Sequence, residues 1–518
     1  MRKTLHEGVV MKITLFIRYR AARVPVTALS ALLLGACAVG PDYREAPPVE
    51  TGSGWTHPSG ADGAQVDLSA WWKSLGDPVL DRLVTTALSD NLDLRQAEAR
   101  IREARALRDR AAGGYAPSVG VSGSINRRRQ SVNGPLPIDL IPGLERDQTI
   151  YDAGFDAAWE VDLFGRTRRA VESAEASVEA TQADANNARV SVVAEVARSY
   201  FTLRGAQREL AAREASVDTL QQTLDLVRMR YAVGDVSQAD VDAAQARLAA
   251  AAAGVPDIQA QLHAAALGLG VLLGAPPERE LSLLESNLPE LVLVPLPVGE
   301  RADVLRRRPD VRAAERRLAA STANIGAATA ELFPKLSIGA GGGFQSLDTN
   351  TLFDSASQTH SIIPLISWRV FDGGRVRAEI HVSEARQQQA ALAYEKVVLA
   401  ALGDAERALS NYRHGLDAVH RRRVAVDAAF RSFGHARQRY EAGDIALIDL
   451  LADERVLRDA EDAYARTHSA TAVALVALFK ALGGGWNAHA SEGTPTASCS
   501  PATLIGPISF QRAGQAVA

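Results

Sequence analysis

The hexamer RYAVGD at Arg230–Asp235 returns as RYEAGD at Arg439–Asp444, so that Tyr231 and Tyr440 lie 209 positions apart. The segment Trp159–Arg166 aligns at the same offset with a second segment that begins with a tryptophan at position 368. Neither hexamer holds an obvious catalytic residue. A plain stretch that recurs in this way indicates a duplicated architecture rather than a duplicated active site.

The repeat continues upstream of the hexamers with a different spacing. Asn91–Leu94 (NLDL) matches Arg308–Val311 (RPDV) at an offset of 217, and Pro117 matches Pro334 at that offset. The first copy therefore carries eight extra residues between its proline and its tryptophan. We predict an internal duplication with one loop of variable length, and two such long units disfavour a stacked solenoid.

Each copy is predicted to contribute a pair of β-strands after its proline. In Tyr151–Leu163 the odd positions are apolar, whereas the even positions include Asp152, Asp156 and Glu160. Such alternation is typical of a strand with one apolar and one polar face. The apolar faces of the other three predicted strands are Val119, Val121 and Ile125; Leu336, Ile338, Ala340 and Phe344; and Ile362, Ile366, Trp368 and Val370.

Four strands cannot close a barrel, because the smallest filled barrels have about eight. If these strands cross a bilayer, every edge must be paired, and several copies of the chain must then share one barrel with a multiple of four strands. The apolar faces would contact lipid, and the acidic face of 149–163 would line a wet lumen that weakly favours cations. A soluble sheet packed on the helices is the alternative.

A very long helix is predicted after each strand pair. Residues 166–230 contain no proline and one glycine, Gly205, and at 1.5 Å per residue they extend for roughly 100 Å. Apolar residues spaced 3-4-3-4 predict a coiled-coil seam, so the helix must lie beside another one. Gly234 allows the positive φ that ends a helix, which makes each hexamer the tip of a helical hairpin. The other predicted helices span 79–115, 236–275, 303–332 and 445–483.

The N-terminus has the features of an export signal. Val24–Ala36 is a short, mostly apolar run after a basic region, about half of the ~20 residues that a membrane-spanning helix needs. The run ends in LLLGAC, which resembles a bacterial lipobox and predicts cleavage before Cys37 and lipid attachment to it. Ala38 stands where an aspartate commonly retains lipoproteins in the inner membrane, so we expect the outer membrane. Both Met1 and Met11 can serve as the start.

Composition and motifs disfavour several other classes. A net charge of −4 gives no reason to expect nucleic-acid binding, and the two cysteines, Cys37 and Cys499, cannot form a zinc cluster. Neither HExxH, GxSxG nor GxxxxGK[ST] occurs, so an enzyme is not expected, and no cofactor is predicted. The arginine run Arg127–Arg129 lies at a strand end, where it is either a solvated face or a contact to lipopolysaccharide phosphates.

An ordered set of short motifs over about 40–484 resembles the TolC-type outer-membrane efflux proteins, and among them the lipoprotein branch often labelled NodT. The motifs are the lipobox, the AVGPDY that follows Cys37, WWKSLGDP at Trp71–Pro78, NLDL, the two Arg-Tyr-x-x-Gly tips, and FPK at 333–335. The resemblance implies a mainly α protein with a transmembrane β part. Three chains, each giving four strands, would share a twelve-stranded β-barrel and a TolC-like α-barrel.

The resemblance also implies function and partners. Such homotrimers are outer-membrane exit ducts of tripartite pumps, in which a periplasmic adaptor and an inner-membrane transporter, here of the RND type, complete the path. In the family, polar contacts near the second tip hold the closed end. The residues carried over are Tyr440, Asp449, Asp453 and Arg455 for the gate, and Tyr231, Gly234, Asp235, Gly443 and Asp444 for the tips that contact the adaptor.

Asp453 fits the gate imperfectly, because some relatives place an aspartate one position earlier, at Ala452.

The expected divisions are a signal peptide (1–36), a lipidated and equatorial segment (37–78), repeat 1 (79–275), a linker (276–302), repeat 2 (303–484) and a disordered tail (485–518). A type I protein-secretion channel and a periplasmic coiled-coil scaffold without a pore are the alternative functions. The scaffold would have no use for four alternating strands.

Overall fold

The computed structural model describes residues 38–52, 54–56, 67–133, 145–285, 291–296 and 298–487. Cys37, Cys499, the predicted signal peptide and residues 488–518 lie outside them. The strands are β1 (Ser118–Arg129), β2 (Asp147–Val161), β3 (Lys335–Ser346) and β4 (Gln358–Ser367). The α-helices are α1 (Pro78–Asp90), α2 (Leu92–Ala112), α3 (Arg166–Ala232), α4 (Gln238–Ala253), α5 (Val255–Leu272), α6 (Arg301–Arg307), α7 (Pro309–Ala330), α8 (Arg375–Glu441) and α9 (Leu447–Ala481).

The four strands form one antiparallel sheet in the order β1-β2-β3-β4. Each repeat supplies a hairpin, as predicted, and the two hairpins join where β2 pairs with β3, with Trp159 opposite Ile338 and Asp156 opposite Gly341. In the described part of one protomer, β1 and β4 therefore each keep one edge without a neighbouring strand.

The two faces of the sheet differ in polarity along β1 and β2, as the alternation predicted, whereas β4 carries exposed apolar residues on both faces, including Ile363 and Leu365 on the otherwise polar one. The apolar face stays exposed, with Val121 at 88% and Ile362 at 75% of full exposure. On the other face, Asp152 accepts hydrogen bonds from Ser124 Oγ at 3.3 Å and from Gln345 Nε2 at 2.7 Å. The alternative of a soluble sheet that buries its apolar face on the helices is wrong.

The predicted fourth strand was too long. β4 ends at Ser367, so Trp368 and Val370 lie beyond it, where both side chains stay exposed. Trp368 Nε1 instead donates to the carbonyl oxygen of Leu332 at 3.0 Å. Its counterpart in the first repeat, Trp159, makes the same 3.0 Å bond to a carbonyl oxygen near the end of the preceding helical segment. In both repeats the indole is thus held at the helix–strand junction, and Trp159 is in addition part of the β2 ladder.

The outgoing helices α3 and α8 each have 67 residues and extend for about 100 Å. Both begin directly after a glycine with positive φ, Gly165 at 81° and Gly374 at 87°. Both end in a turn around a further such glycine, Gly234 at 80° and Gly443 at 84°. Left-handed backbone is strained for residues with a Cβ, so these glycines determine where each long helix starts and stops.

Three predicted helices are interrupted. The predicted helix 79–115 breaks at Asn91, whose Oδ1 accepts from two backbone N–H groups of α2 while Nδ2 donates to Leu272 O at 2.7 Å. The predicted helix 303–332 breaks before Pro309, and the return segment 236–275 breaks at Gly254, two residues before a proline in the first turn of α5. Proline lacks the N–H that a helix interior needs, so it opens a new helix instead. The second return, α9, is continuous.

The main hydrophobic core joins both repeats near the middle of the chain's helices. Trp71 stacks on Phe479 with ring centroids 4.4 Å apart, and Tyr200 donates its hydroxyl proton to Asp77 Oδ2 at 2.6 Å. Helix α9 packs closely against α8 at Gly415. A Cβ added to this glycine would lie only 2.7 Å from Thr471 Oγ1, so there is no room for a side chain. We call this assembly the equatorial core.

The packed region extends slightly past repeat 2. We expected a disordered tail from residue 485, but Trp486 is buried and the backbone N–H of Gly485 donates to Leu68 O at 2.7 Å. Across the residues that the structure describes, no helix is both long and apolar enough to span a membrane.

Candidate functional site

The tips of the two helical hairpins lie against each other and are joined by one arginine. The Arg230 guanidinium stands over the Tyr440 ring, 4.5 Å from its centroid. Arg230 Nη1 donates to Tyr440 O at 3.3 Å, and its Nε donates to Asp235 Oδ2 at 2.7 Å. A residue of the first tip thus ties that tip's own turn to the end of α8 in the second.

The two repeated tyrosines occupy different environments. Tyr440 is 1% exposed, and its hydroxyl has no hydrogen-bond partner among the described residues. Tyr231, its repeat counterpart, is 46% exposed. Tyr440 belongs to a second apolar cluster, which we call the tip cluster: Leu224, Val227, Val241, Ala244, Ala429, Phe433, Ala436, Tyr440, Leu447, Leu450, Leu451 and Leu457.

The tip turns themselves share one geometry. Asp235 N donates to Arg230 O at 3.0 Å, and Asp444 N donates to Arg439 O at 2.9 Å. In both turns the glycine has positive φ, and the aspartate is exposed. The predicted tip residues therefore lie together at one end of the helices, on an accessible surface.

The predicted gate residues do not form one cluster within a protomer. Asp449 is exposed in the first turn of α9. Asp453 is half-buried and accepts a hydrogen bond from Ser432 Oγ at 3.1 Å. Arg455 is exposed and lies 3.7 Å from Asp459 on its own helix. Tyr440 is interior, so only the other three are accessible on the protomer.

Sequence reasoning missed a buried carboxylate beside these residues. Glu454 is 2% exposed, and neither of its oxygens has a hydrogen-bond partner in the described part of the chain. Burial raises the pKa of Glu454, while Arg458 and Arg247 oppose that shift. A detectable signal existed, because position 454 continues the 3-4 spacing of the buried leucines Leu447, Leu450, Leu451 and Leu457.

The acidic residues predicted for a lumen all lie on the polar face of the sheet. Asp152 is hydrogen bonded as described, Asp156 is exposed, and Glu160 Oε1 lies 3.0 Å from Arg166 Nε at the start of α3. Within the described residues, no group of three His, Cys, Asp or Glu side chains is placed to hold a metal ion.

Two helical hairpins, each about 100 Å long, extend from one end of an incomplete sheet. The apolar face of that sheet is exposed. This arrangement defines a channel-forming protein whose barrel needs several chains. The family described as "Outer membrane efflux protein" matches residues 83–275 and 301–484. The chain belongs to this outer membrane efflux protein family, whose members are channels rather than enzymes.

Similar proteins agree on outer-membrane efflux. The pyoverdine export outer membrane protein OpmQ of Pseudomonas putida is 32% identical over 86% of this chain and 94% of its own length. The outer membrane protein OprJ of Pseudomonas aeruginosa is 32% identical over 90% and 97%. Among solved structures, the outer-membrane channel OprN superposes with a TM-score of 0.79 at 37% identity, covering 87% of this chain and all of that one. This protein is accordingly an outer-membrane efflux channel with a TolC-like fold.

Replacing Arg230 with alanine should loosen the second tip. The substitution removes a cation–π contact and a charged hydrogen bond, together worth about 1–2 kcal/mol. Amide hydrogen exchange at residues 440–446 should therefore become roughly tenfold faster. Arg439→Ala is the matched control, because its side chain occupies the equivalent repeat position but is exposed. Equal exchange rates in the two variants would contradict a joining role for Arg230.

Replacing Glu454 with glutamine should stabilise the protein near neutral pH. Because the folded-state pKa of Glu454 lies above its unfolded value, folding is penalised once the group ionises, and the penalty disappears as pH falls below about 4.3. We expect the variant to gain about 1–3 kcal/mol at pH 8 and almost nothing at pH 4. Thermal unfolding followed by circular dichroism at both pH values measures this.

The control for Glu454→Gln is Asp459→Asn on the same helix. Asp459 has a side chain that is 73% exposed, and its replacement should change stability by less than about 0.5 kcal/mol at either pH. A Glu454→Gln protein that is less stable than the wild type at pH 8 would show that the carboxylate is favourably paired.

Proposed function

We propose that the chain forms a homotrimer that is the exit duct of a tripartite efflux pump for small organic molecules. The observation that carries this proposal is the incomplete sheet. Its apolar face is exposed, and its edge strands β1 and β4 lack neighbours in the described protomer. Backbone groups in lipid must all be paired, and three copies joined β4 to β1 would close a barrel of twelve strands, above the minimum of about eight.

The duct needs no covalent chemistry, and the chain is proposed to act as a non-enzymatic conduit. The inner-membrane transporter would supply the energy, and the polar face of the barrel would supply a hydrated path. Asp152, Asp156 and Glu160 would lie on the lumen wall, where carboxylates favour cations weakly. The cargo class is supported by relatives at similar identity, which are named for export of pyoverdine, toluene and antibiotics.

A lipid anchor on Cys37 is supported by the path of the residues that follow it. Val39 N donates to Phe164 O at 3.2 Å, at the junction of β2 and α3. Arg169, almost fully buried, donates to Val39 O and binds Asp42 Oδ1 at 2.6 Å. This hydrogen bond lowers the pKa of Asp42, so the pair stays charged.

These contacts hold residue 38 beside Gly165, where the sheet meets the helices. The membrane surface would cross the trimer at that level, so an acyl chain on the preceding residue could reach the bilayer without unfolding the segment. The same contacts orient the molecule, because the helices must then extend into the periplasm. The accurate mass of the mature N-terminal peptide tests the anchor: an unmodified Cys37 would rule it out.

For the closed end we propose contacts between protomers around Asp449, Asp453 and Arg455, which are accessible on each chain, with Tyr440 supporting them from inside. Exposed ion pairs contribute about 0–1 kcal/mol each, so three symmetric sets amount to a few kcal/mol. A periplasmic adaptor that binds better to the open state could overcome that difference. The exposed tips at Tyr231, Gly234, Asp235, Gly443 and Asp444 are the proposed adaptor contact, and photo-crosslinkers placed there should capture the adaptor.

Planar bilayers test the pore directly. Purified protein should have the mass of a trimer and should produce discrete conductance steps. A monomer that leaves bilayers electrically tight would exclude the channel and favour the scaffold. Export of a protein substrate, rather than small compounds, by a strain that depends on this chain would favour the type I secretion alternative.

Replacing Asp449 and Arg455 with alanine should raise the open-channel probability in the same bilayers. Loss of about 1–2 kcal/mol of closed-state contacts corresponds to a roughly 5- to 30-fold change in the open-to-closed ratio. Arg466→Ala is the control, because this exposed arginine lies farther along α9 and pairs with Glu209 of the same chain at 3.2 Å. Unchanged conductance in the double variant would remove both residues from the gate.

A further inference from the structure

Two arginines continue the apolar face of β1 beyond its hydrophobic part. Val119, Val121 and Ile125 occupy odd positions of this strand, and Arg127 and Arg129 follow in the same alternation. All five side chains are exposed. Residues of one strand that are two positions apart lie on the same face, so the two guanidinium groups belong to the face that contacts lipid.

The register with β2 places these arginines just outside an aromatic residue. Ile125 is opposite Tyr151, Arg127 is opposite Thr149, and Arg129 is opposite Asp147. At about 3.4 Å per residue, Arg127 lies roughly 7 Å beyond Ile125 along the strand, and Arg129 lies roughly 14 Å beyond Ile125. Aromatic residues commonly mark the edge of the hydrocarbon band of a barrel, so both arginines come at the depth of lipid headgroups.

The side of the membrane follows from the same sheet. Trp159, eight residues from Tyr151 on the same face of β2, lies at the helix end of the strand, five residues before Phe164, whose carbonyl oxygen accepts from Val39 N. The distance between these two aromatics along the strand is about 27 Å. At a strand tilt of about 40° this corresponds to roughly 21 Å across the membrane, which is comparable to an apolar band of about 25 Å. The arginines are at the far end, and therefore in the outer leaflet.

Guanidinium groups at headgroup depth suit phosphate, because their planar fork binds phosphate oxygens in pairs and keeps its charge at every relevant pH. We propose that Arg127 and Arg129 bind the phosphate groups of phosphorylated glycolipid in the outer leaflet, so that each protomer carries one such lipid site. This inference rests on the proposed barrel, since it requires the apolar face of β1 to contact lipid.

The neighbouring charges support a difference between the two faces of β1. Arg128 lies between the two arginines in sequence but points to the polar face, opposite Gln148. Asp147 lies 3.5 Å from Arg129 and is the acidic side chain opposite it on the lipid face, so it competes with phosphate for that arginine. Arg127 faces the neutral Thr149 and is the stronger anchor of the pair.

Native mass spectrometry of the detergent-purified full chain tests the site with three probes: diphosphoryl lipid A, its dephosphorylated counterpart and inorganic phosphate. Arg127→Gln should retain diphosphoryl lipid A several-fold less well than the wild type, and Arg127→Gln/Arg129→Gln roughly tenfold less well. Arg128→Gln removes the same charge from the same strand and should retain the lipid normally. Asp147→Asn should retain it better than the wild type.

Three results would overturn the proposal: equal losses in Arg127→Gln and Arg128→Gln, equal retention of the dephosphorylated lipid, or displacement of the lipid by millimolar inorganic phosphate alone. The single variants carry the test if the double variant fails to fold. Conductance in bilayers free of lipid A is measured in parallel. If the protein conducts but does not retain the lipid selectively, the lipid site is refuted and the duct is not. If the wild type does not conduct, the proposed duct is refuted.

Discussion

The unpaired backbone groups along the outer edges of β1 and β4 are the constraint on which the rest of the structure depends. A peptide group that faces hydrocarbon without a hydrogen-bond partner costs several kcal/mol, and each edge carries a row of them. Every residue of β1 and β4 is exposed in the described protomer. The sheet and its exposed apolar face are compatible only with neighbouring chains that supply further strands. One protomer is therefore one part of a symmetric oligomer.

Duplication supplied matched geometry but not matched environments. Trp159 and Trp368 make the same bond to a backbone carbonyl, because that contact depends only on the local helix–strand junction. Tyr231 and Tyr440 differ in burial, because Tyr440 belongs to the tip cluster and lies under the Arg230 guanidinium, whereas Tyr231 is 46% exposed. Local contacts are therefore preserved between repeats, while contacts between the hairpins have specialised.

Sequence periodicity was sufficient for features that depend on neighbouring residues. Alternation predicted all four strands, and glycines with positive φ predicted the ends of both long helices. Periodicity was insufficient where a side chain contacts a residue that is far away in the sequence. Asn91 interrupts a helix because its side chain donates a hydrogen bond to Leu272 O. The residues around Asn91 in the sequence do not indicate this distant partner. The predicted gate residues Asp449, Asp453 and Arg455 likewise form no common cluster within the described protomer, so their role stays a prediction.

Packing along α8 shows how the two ends of the molecule are mechanically related. The equatorial core contacts the helix as far as Leu416, and the tip cluster begins at Ala429. Between them, residues 417–428 contain no buried side chain. Two residues of the arginine run at 421–423 pair on the same helix, Arg421 with Asp417 at 2.9 Å and Arg423 with Asp427 at 3.4 Å.

Segments with few buried contacts open and bend at the lowest free energy. The tip cluster, where Arg230 stands over Tyr440, is therefore separated along α8 from the equatorial core by a stretch of low packing, in which the Arg423 guanidinium lies 5.7 Å from the centroid of the Tyr464 ring of α9. Local opening at the tips is therefore expected to cost less free energy than opening of the equatorial core or of the sheet.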